Sequence, residues 1–77
     1  MNKDEQYIVA LYQLAGIGGI KDRYEMGVQV GLSERAVNAI LNCLEQANFV
    51  KKIGTKQVLL TAQGARLAET LIPPVKK

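Results

Sequence analysis

The segment of residues 23–44 constrains the fold most, because its apolar residues follow two helical periods separated by a glycine. Met26 and Val30 lie one turn apart before Gly31. After the glycine, apolar residues recur at the i, i+3, i+4, i+7 spacing of a buried helical stripe. The members of this second stripe are Val37, Ile40, Leu41 and Leu44. The pattern predicts a helix, a turn and a second helix.

The residues around the turn carry the local signals that this arrangement requires. Gly31 follows the last periodic residue of the first helix, where glycine adopts a left-handed backbone at little cost. Ser33 and Glu34 then supply an N-cap hydroxyl and a first-turn carboxylate, both favourable to the exposed amides of a helix start. Gly27 lies in mid-helix, where it costs about 1 kcal/mol relative to Ala unless a neighbour packs against it. We therefore expect the second helix to cross the first at Gly27.

A β-hairpin is predicted after this helix pair. Residues 49–53 and 57–61 are two short runs rich in β-branched and apolar residues, and they flank the turn sequence Gly54, Thr55 and Lys56. Asn48 is expected to end the preceding helix, since Asn tolerates the left-handed conformation nearly as well as Gly.

A final helix is predicted over residues 62–72, with Thr61 as its cap and Pro73 as its stop. Its core stripe is expected to comprise Leu60, Ala65, Ala68, Leu71 and Ile72. Residues 73–77 are expected to form a short loose tail.

The first helix, predicted over Lys3–Ala15 with Asn2 or Asp4 as its cap, carries more apolar surface than a small core needs. At 100° per residue, Tyr7, Leu11 and Leu14 share one face, whereas Val9 and Tyr12 point to nearly the opposite side. Either a partner covers this second face, or a single Tyr and a Val are simply exposed, as is common. The partner interpretation predicts a homodimer with Val9 and Tyr12 in its interface.

Residues 23–44 and the segment that follows them resemble a known family. The helix-turn-helix motif of DNA-binding proteins is matched by Met26, Gly27, Val30, Gly31, Leu32, Val37 and Ile40. The continuation over residues 48–71, with the local sequence LTAQGARLAETL, is similar to the hairpin wing and closing helix of winged helix-turn-helix regulators of the MarR and ArsR groups. The resemblance implies a mostly α, α+β fold, with a three-helix core, a wing and a C-terminal helix over residues 1–72. It also implies a short strand at Ile20 that pairs with the wing, whereas Asp22 is a candidate cap of the next helix. Regulators of these groups pair through their first and last helices, so the resemblance implies that Ile72 and Val75 join the dimer interface.

The outward face of the second motif helix, residues 33–47, is the candidate DNA-reading surface. Arg can bind guanine through O6 and N7, and Asn or Gln can pair bidentately with adenine, so a helix with this face can read bases in a major groove. The residues assigned to this surface are Ser33, Arg35, Asn38, Ala39, Asn42 and Gln46. The alternative is a solvated polar face of the kind that any surface helix has, and Glu34 and Glu45 weaken the electrostatic case.

The hairpin concentrates positive charge, with Lys51, Lys52 and Lys56 within six residues. In the winged family such a hairpin lies along the phosphate backbone or the minor groove. The alternative is an edge hairpin that its lysines protect from aggregation.

Composition excludes several function classes. The chain has no histidine and one cysteine, Cys43, so it has no plausible zinc site and no Ser-His or Cys-His pair, and its carboxylates are scattered. The glycine run at residues 16–19 is followed by Ile20, Lys21 and Asp22, which does not fit a phosphate-binding loop. Cys43 is expected to be a small half-buried apolar residue, with redox sensing as the alternative. No enzyme activity, cofactor, metal or small-molecule ligand is expected.

The charge and hydropathy of the chain fit a cytoplasmic nucleic-acid-binding domain. The net charge is +3 and the isoelectric point is about 9.2, which is compatible with nucleic acid. A single cysteine gives no internal disulfide, and no apolar run reaches the ~20 residues that span a membrane. We therefore expect a small transcriptional regulator that binds double-stranded DNA as a homodimer. The alternative is a winged helix used as a protein-interaction or assembly module. The sequence indicates neither the operator nor the effector.

Overall fold

A computed structural model describes residues 1–72 of the chain. Four helices and a three-stranded antiparallel sheet form an α+β fold that is mostly helical. The elements are α1 (Lys3–Ala15), β1 (Ile20–Asp22), α2 (Arg23–Gln29), α3 (Glu34–Gln46), β2 (Val50–Ile53), β3 (Gln57–Leu60) and α4 (Ala62–Leu71). Pro73, Val75 and the predicted loose tail lie outside the described residues.

Side-chain caps define the start of each helix, as the sequence predicted. Asn2 forms a capping box with Glu5 at α1. Asp22 accepts hydrogen bonds from two backbone amides of α2, Ser33 accepts one from α3, and Thr61 accepts one from α4.

The sheet has the order β1-β3-β2, so β3 is the central strand. Ile20 of β1 lies opposite Leu59, and Lys51 of β2 lies opposite the same residue on the other side. The expected short strand at Ile20 is confirmed, as is the hairpin turn, whose Gly54 has a φ of 58°.

Two glycines allow close approaches between elements, and the approach at Gly27 was predicted from the sequence. A Cβ atom on Gly27 would overlap the Cγ2 atom of Val37, which is where α3 crosses α2. A Cβ atom on Gly64 would overlap the carbonyl of Phe49, so α4 packs directly on the chain entering β2. Asn48 ends α3 with a φ of 65°, again as predicted.

The prediction for α1 was correct for Tyr7 and Leu11 and wrong for Val9 and Leu14. Val9 is only 9% exposed and belongs to the core, whereas Leu14, predicted to be inside, is 55% exposed. The reason is that α1 contacts α2 and α3 on one side and β3 and α4 on another, so it buries more than one stripe. Tyr7, Ile8 and Leu11 are fully buried along it.

The predicted stripe of α4 is deepest at its start. Leu60, Ala65 and Ala68 are buried, whereas Leu71 and Ile72 are half-buried and pack against the edge of the core. Helix α4 lies against α1 and completes the core next to the sheet.

Candidate nucleic-acid interface

The polar face of α3 is exposed because the opposite face supplies the core. Val37, Leu41 and Leu44 are buried, and this fixes the rotation of the helix about its axis. The exposed positions are those predicted from the sequence, namely Arg35, Asn38, Ala39, Asn42 and Gln46. Ser33 is exposed too, but its hydroxyl oxygen accepts a hydrogen bond from the Ala36 amide at 3.2 Å as the N-cap.

Two amide side chains on this face are held by neighbouring elements. The Tyr24 hydroxyl of α2 donates to Oδ1 of Asn38 at 3.2 Å. The Lys52 ammonium of β2 donates to Oδ1 of Asn42 at 2.7 Å. Each amide therefore has a hydrogen-bond partner on another element, which an ordinary solvated face does not require.

The start of the hairpin is attached to α3 through Glu45. Its carboxylate accepts a hydrogen bond from the Lys52 backbone amide at 3.0 Å and lies 3.6 Å from the Lys52 ammonium. The backbone hydrogen bond is the main reason that the pKa of Glu45 lies below its ordinary value, and the charge of Lys52 lowers it further. These contacts place β2 beside the polar face of α3.

The turn of the hairpin is attached to α2 by Arg23, a residue that the sequence analysis did not single out. Arg23 is only 5% exposed, and its guanidinium donates to the carbonyls of Ile53, Gly54 and Gln57 at 2.7–3.3 Å. The Arg23 amide also donates to the carbonyl of Lys56 at 2.7 Å. The position of the turn is thus set by the first residue of α2.

A signal for the burial of Arg23 was present in the sequence. Arg23, Met26, Gly27 and Val30 share the i, i+3, i+4, i+7 spacing of the inward face of α2, so an arginine occupies a core position. The buried Tyr7 hydroxyl donates to the Arg23 carbonyl at 2.8 Å. Burial raises the pKa of Tyr7 well above its ordinary value, so Tyr7 stays a neutral donor.

The three hairpin lysines do not share one surface. Side chains alternate between the two faces of a strand, so Lys52 points towards α3 while Lys51 lies on the opposite face, in line with Leu59 and Ile20. Lys56 is exposed in the turn itself. The structure therefore brings Lys52 next to α3, places the turn at the start of α2, and puts Lys51 on the opposite face of the hairpin.

The electrostatic balance of the described residues is close to neutral. Lys76 and Lys77 lie outside them, which leaves eight cations against seven carboxylates in residues 1–72. Arg23 is directed inward and Lys52 is paired with Glu45, so Arg35 and Lys56 are the exposed cations that remain beside α3 and the turn.

Three of the four residues assigned to a dimer interface pack within the chain. Val9 is in the core, and Tyr12 is half-buried with its hydroxyl donating to Oε2 of Glu69 at 2.8 Å. This hydrogen bond is the main reason that the pKa of Tyr12 is raised. Ile72 packs against the core, and Val75 lies outside the described residues. The apolar face that suggested a dimer is therefore packed within the chain, with Val9 in the core and Tyr12 bonded to α4.

A different apolar surface is exposed at the end of α1. Leu14, Ile17 and Ile20 are 55%, 63% and 50% exposed, and Leu14 borders a shallow cleft that also involves Glu25 and Gln29 of α2. Cys43, expected to be half-buried, is exposed because it lies beyond the edge of the α3 stripe. Within residues 1–72, no three His, Cys, Asp or Glu side chains come together as a metal site.

Comparisons with protein-family models and with curated proteins assign this chain to no family. No protein-family model matches the chain, and no curated protein is significantly similar to it. None of the helices formed by residues 1–72 has the length and apolar character needed to cross a membrane.

Proposed function

We propose that this chain is a winged helix-turn-helix domain that binds double-stranded DNA and regulates transcription. In this proposal α3 enters the major groove and the β2–β3 hairpin lies on the phosphate backbone as the wing. The observation that carries the proposal is the fixed position of the hairpin beside the polar face of α3, through Arg23 at the turn and Glu45 at Lys52. A base-reading helix and a backbone-contacting loop must be held together, because phosphate contacts set the register in which bases are read.

The chemistry of the surface is consistent with this role. Arg35 and the amides of Asn38 and Asn42 offer hydrogen-bond donors to base edges. Ala39 lies on the same face of α3, and its small side chain leaves space for the DNA. Lys56 in the turn offers a charge to phosphate. Lys51 was assigned a phosphate contact as well, but its position on the far face of β2 favours a smaller contribution.

The binding test uses fluorescence anisotropy of a random-sequence duplex about two helical turns long, at low salt. A DNA-binding domain has a nonspecific Kd of about 10⁻⁴ to 10⁻⁶ M even at physiological salt. We expect Lys56→Ala to make the slope of log K against log salt shallower by about one unit, because in this proposal Lys56 neutralises one phosphate. Arg66→Ala, an exposed cation of α4, is the matched control and should leave the slope unchanged. Absence of binding at ~0.1 mM protein would contradict the proposal.

The second candidate is a winged helix that binds protein, either a second copy of itself or another chain. The observation that favours it is the exposed apolar surface of Leu14, Ile17 and Ile20 on α1 and the edge strand β1. The two candidates are compatible, since a DNA-binding homodimer would place two α3 helices about 34 Å apart on a palindromic site. Sedimentation equilibrium of the wild type and of Leu14→Glu tests this surface. A dimer that Leu14→Glu converts to a monomer supports it, and a wild-type monomer excludes self-association through it.

A further inference from the structure

The orientation of the Asn42 amide is fixed by a charged partner. Lys52 Nζ lies 2.7 Å from Oδ1 of Asn42, and an ammonium carries only donors, so the amide atom that faces it must be the oxygen. Lys52 is itself held by Glu45, through its backbone amide at 3.0 Å and its ammonium at 3.6 Å. The Nδ2 group of Asn42 is therefore turned away from the hairpin.

This orientation does not suit adenine. To pair bidentately with adenine, an Asn side chain must accept from N6 and donate to N7 at the same time. In this chain the carbonyl oxygen faces Lys52, and the positive charge beside it disfavours the approach of the N6 donor. The groups left for a ligand are the Nδ2 hydrogens of Asn42 and the remaining hydrogens of the Lys52 ammonium, which are all donors. The base edge with two acceptors and no donor in the major groove is that of guanine, through O6 and N7.

We propose that Asn42 and Lys52 form a donor-only pair that selects guanine over adenine at one position of the DNA site. This inference rests on the proposed function, and it assigns Lys52 to base recognition instead of the phosphate contact that its place in a basic hairpin suggests. It also makes Glu45 a positioning residue, because its carboxylate holds the ammonium beside Asn42.

The test is selection from a library of duplexes with a randomised core, followed by sequencing of the bound fraction. The wild type should enrich guanine over adenine about fivefold or more at one position of each site. Lys52→Met removes the donor at a similar side-chain length and frees the Asn42 oxygen. The preference for guanine over adenine at that position should therefore fall to about twofold or less, or change to a preference for adenine. The base preferences at other positions should be unchanged. Asn42→Ala should affect the same position.

Two further variants control for the general effect of a lost lysine. Lys52→Arg keeps a donor-only cation and should retain the guanine preference. Lys21→Met is the matched control, because Lys21 and Lys52 lie opposite the same residue, Val58, but on different edges of the sheet. Thermal unfolding followed by circular dichroism checks that each variant is folded. The side-chain amide resonances of Asn42 should shift in Lys52→Met and stay in place in Lys21→Met, which tests the contact without DNA.

The outcomes separate this inference from the proposed function. Binding with an unchanged guanine preference in Lys52→Met would overturn the donor-only pair and leave DNA binding intact. A loss of affinity that is equal for all sequences, with a lower salt slope, would show that the pair binds phosphate and would likewise overturn it. Absence of duplex binding by the wild type would overturn both.

Discussion

Replacing Arg23 with Met should destabilise the protein by about 2–4 kcal/mol. The guanidinium donates to three carbonyl oxygens, those of Ile53, Gly54 and Gln57. A hydrogen bond to a charged group contributes roughly 1.5–3 kcal/mol. The three carbonyls share one guanidinium, and water partly replaces their hydrogen bonds in the variant. We therefore expect about half of the sum of three such bonds. Met retains the apolar contacts of the arginine stem, so the loss measures mainly the polar interactions.

Urea denaturation followed by far-UV circular dichroism measures this loss. A domain of about 70 residues has a total stability of roughly 4–11 kcal/mol, so the variant keeps a measurable transition. Arg23→Lys should lose an intermediate amount of stability, because a compact ammonium lacks the planar fork with which the guanidinium reaches all three carbonyls. Arg66→Met, an exposed arginine of α4, should change the stability by about 0.5 kcal/mol at most. A loss below about 1 kcal/mol in Arg23→Met, or one no larger than in Arg66→Met, would refute the role of Arg23 in holding the turn.

Three further predictions concern Gly27, Glu45 and Asn48. Gly27→Ala should lower the free energy of unfolding in urea by about 1–3 kcal/mol despite the better helix propensity of Ala, because its Cβ overlaps Val37. Adding Val37→Ala should recover part of this loss. Equal stability of Gly27→Ala and the wild type would contradict the crossing of α2 and α3 at this position. Because the folded pKa of Glu45 is lowered, its contact with Lys52 should be complete above the ordinary carboxyl pKa and lost as pH falls through the lower folded pKa. The Lys52 amide resonance should follow that titration and Glu45→Gln should abolish it, whereas a midpoint at the ordinary pKa would argue against the contact. Asn48→Ala should lower the free energy of unfolding by about 1 kcal/mol because the φ of residue 48 is positive, and Asn48→Gly should lower it less. Similar losses of stability in the two variants would show that backbone conformation is not the cause.

The elements of this fold were predictable because their boundaries depend on local chemistry. Asp22, Ser33 and Thr61 cap helices at positions where a short polar side chain precedes a periodic segment, and Gly54 marks the hairpin turn. These signals involve residues close in sequence, so they need no knowledge of the tertiary structure.

The burial of α1 was not predictable by the same reasoning. A one-face analysis assumes that a helix meets the rest of the protein on one side, whereas α1 is packed between the other helices and the sheet. Val9 is buried and Leu14 exposed for that reason. The apolar abundance of α1 was itself the correct signal, since a helix that is apolar on several sides is usually central.

The candidate site was predicted as a set of exposed residues but not as a set of contacts. The rotation of α3 followed from its apolar stripe, and the separation of Lys51 from Lys52 follows from strand alternation. The contacts of Lys52 with Asn42 and Glu45 depend on where β2 lies relative to α3. That placement is a long-range feature, and the side-chain spacing alone does not contain it.

The most direct test of DNA binding through α3 and the hairpin is a ¹⁵N-¹H NMR titration of the protein with a random-sequence duplex at low salt. The proposed interface predicts that the amides perturbed most are those of residues 33–46 and of the turn at residues 54–56, while those of α4 change little. Perturbations confined to the end of α1 and β1, or none at ~0.1 mM duplex, would contradict it, because nonspecific binding of a DNA-binding domain is substantial at that concentration.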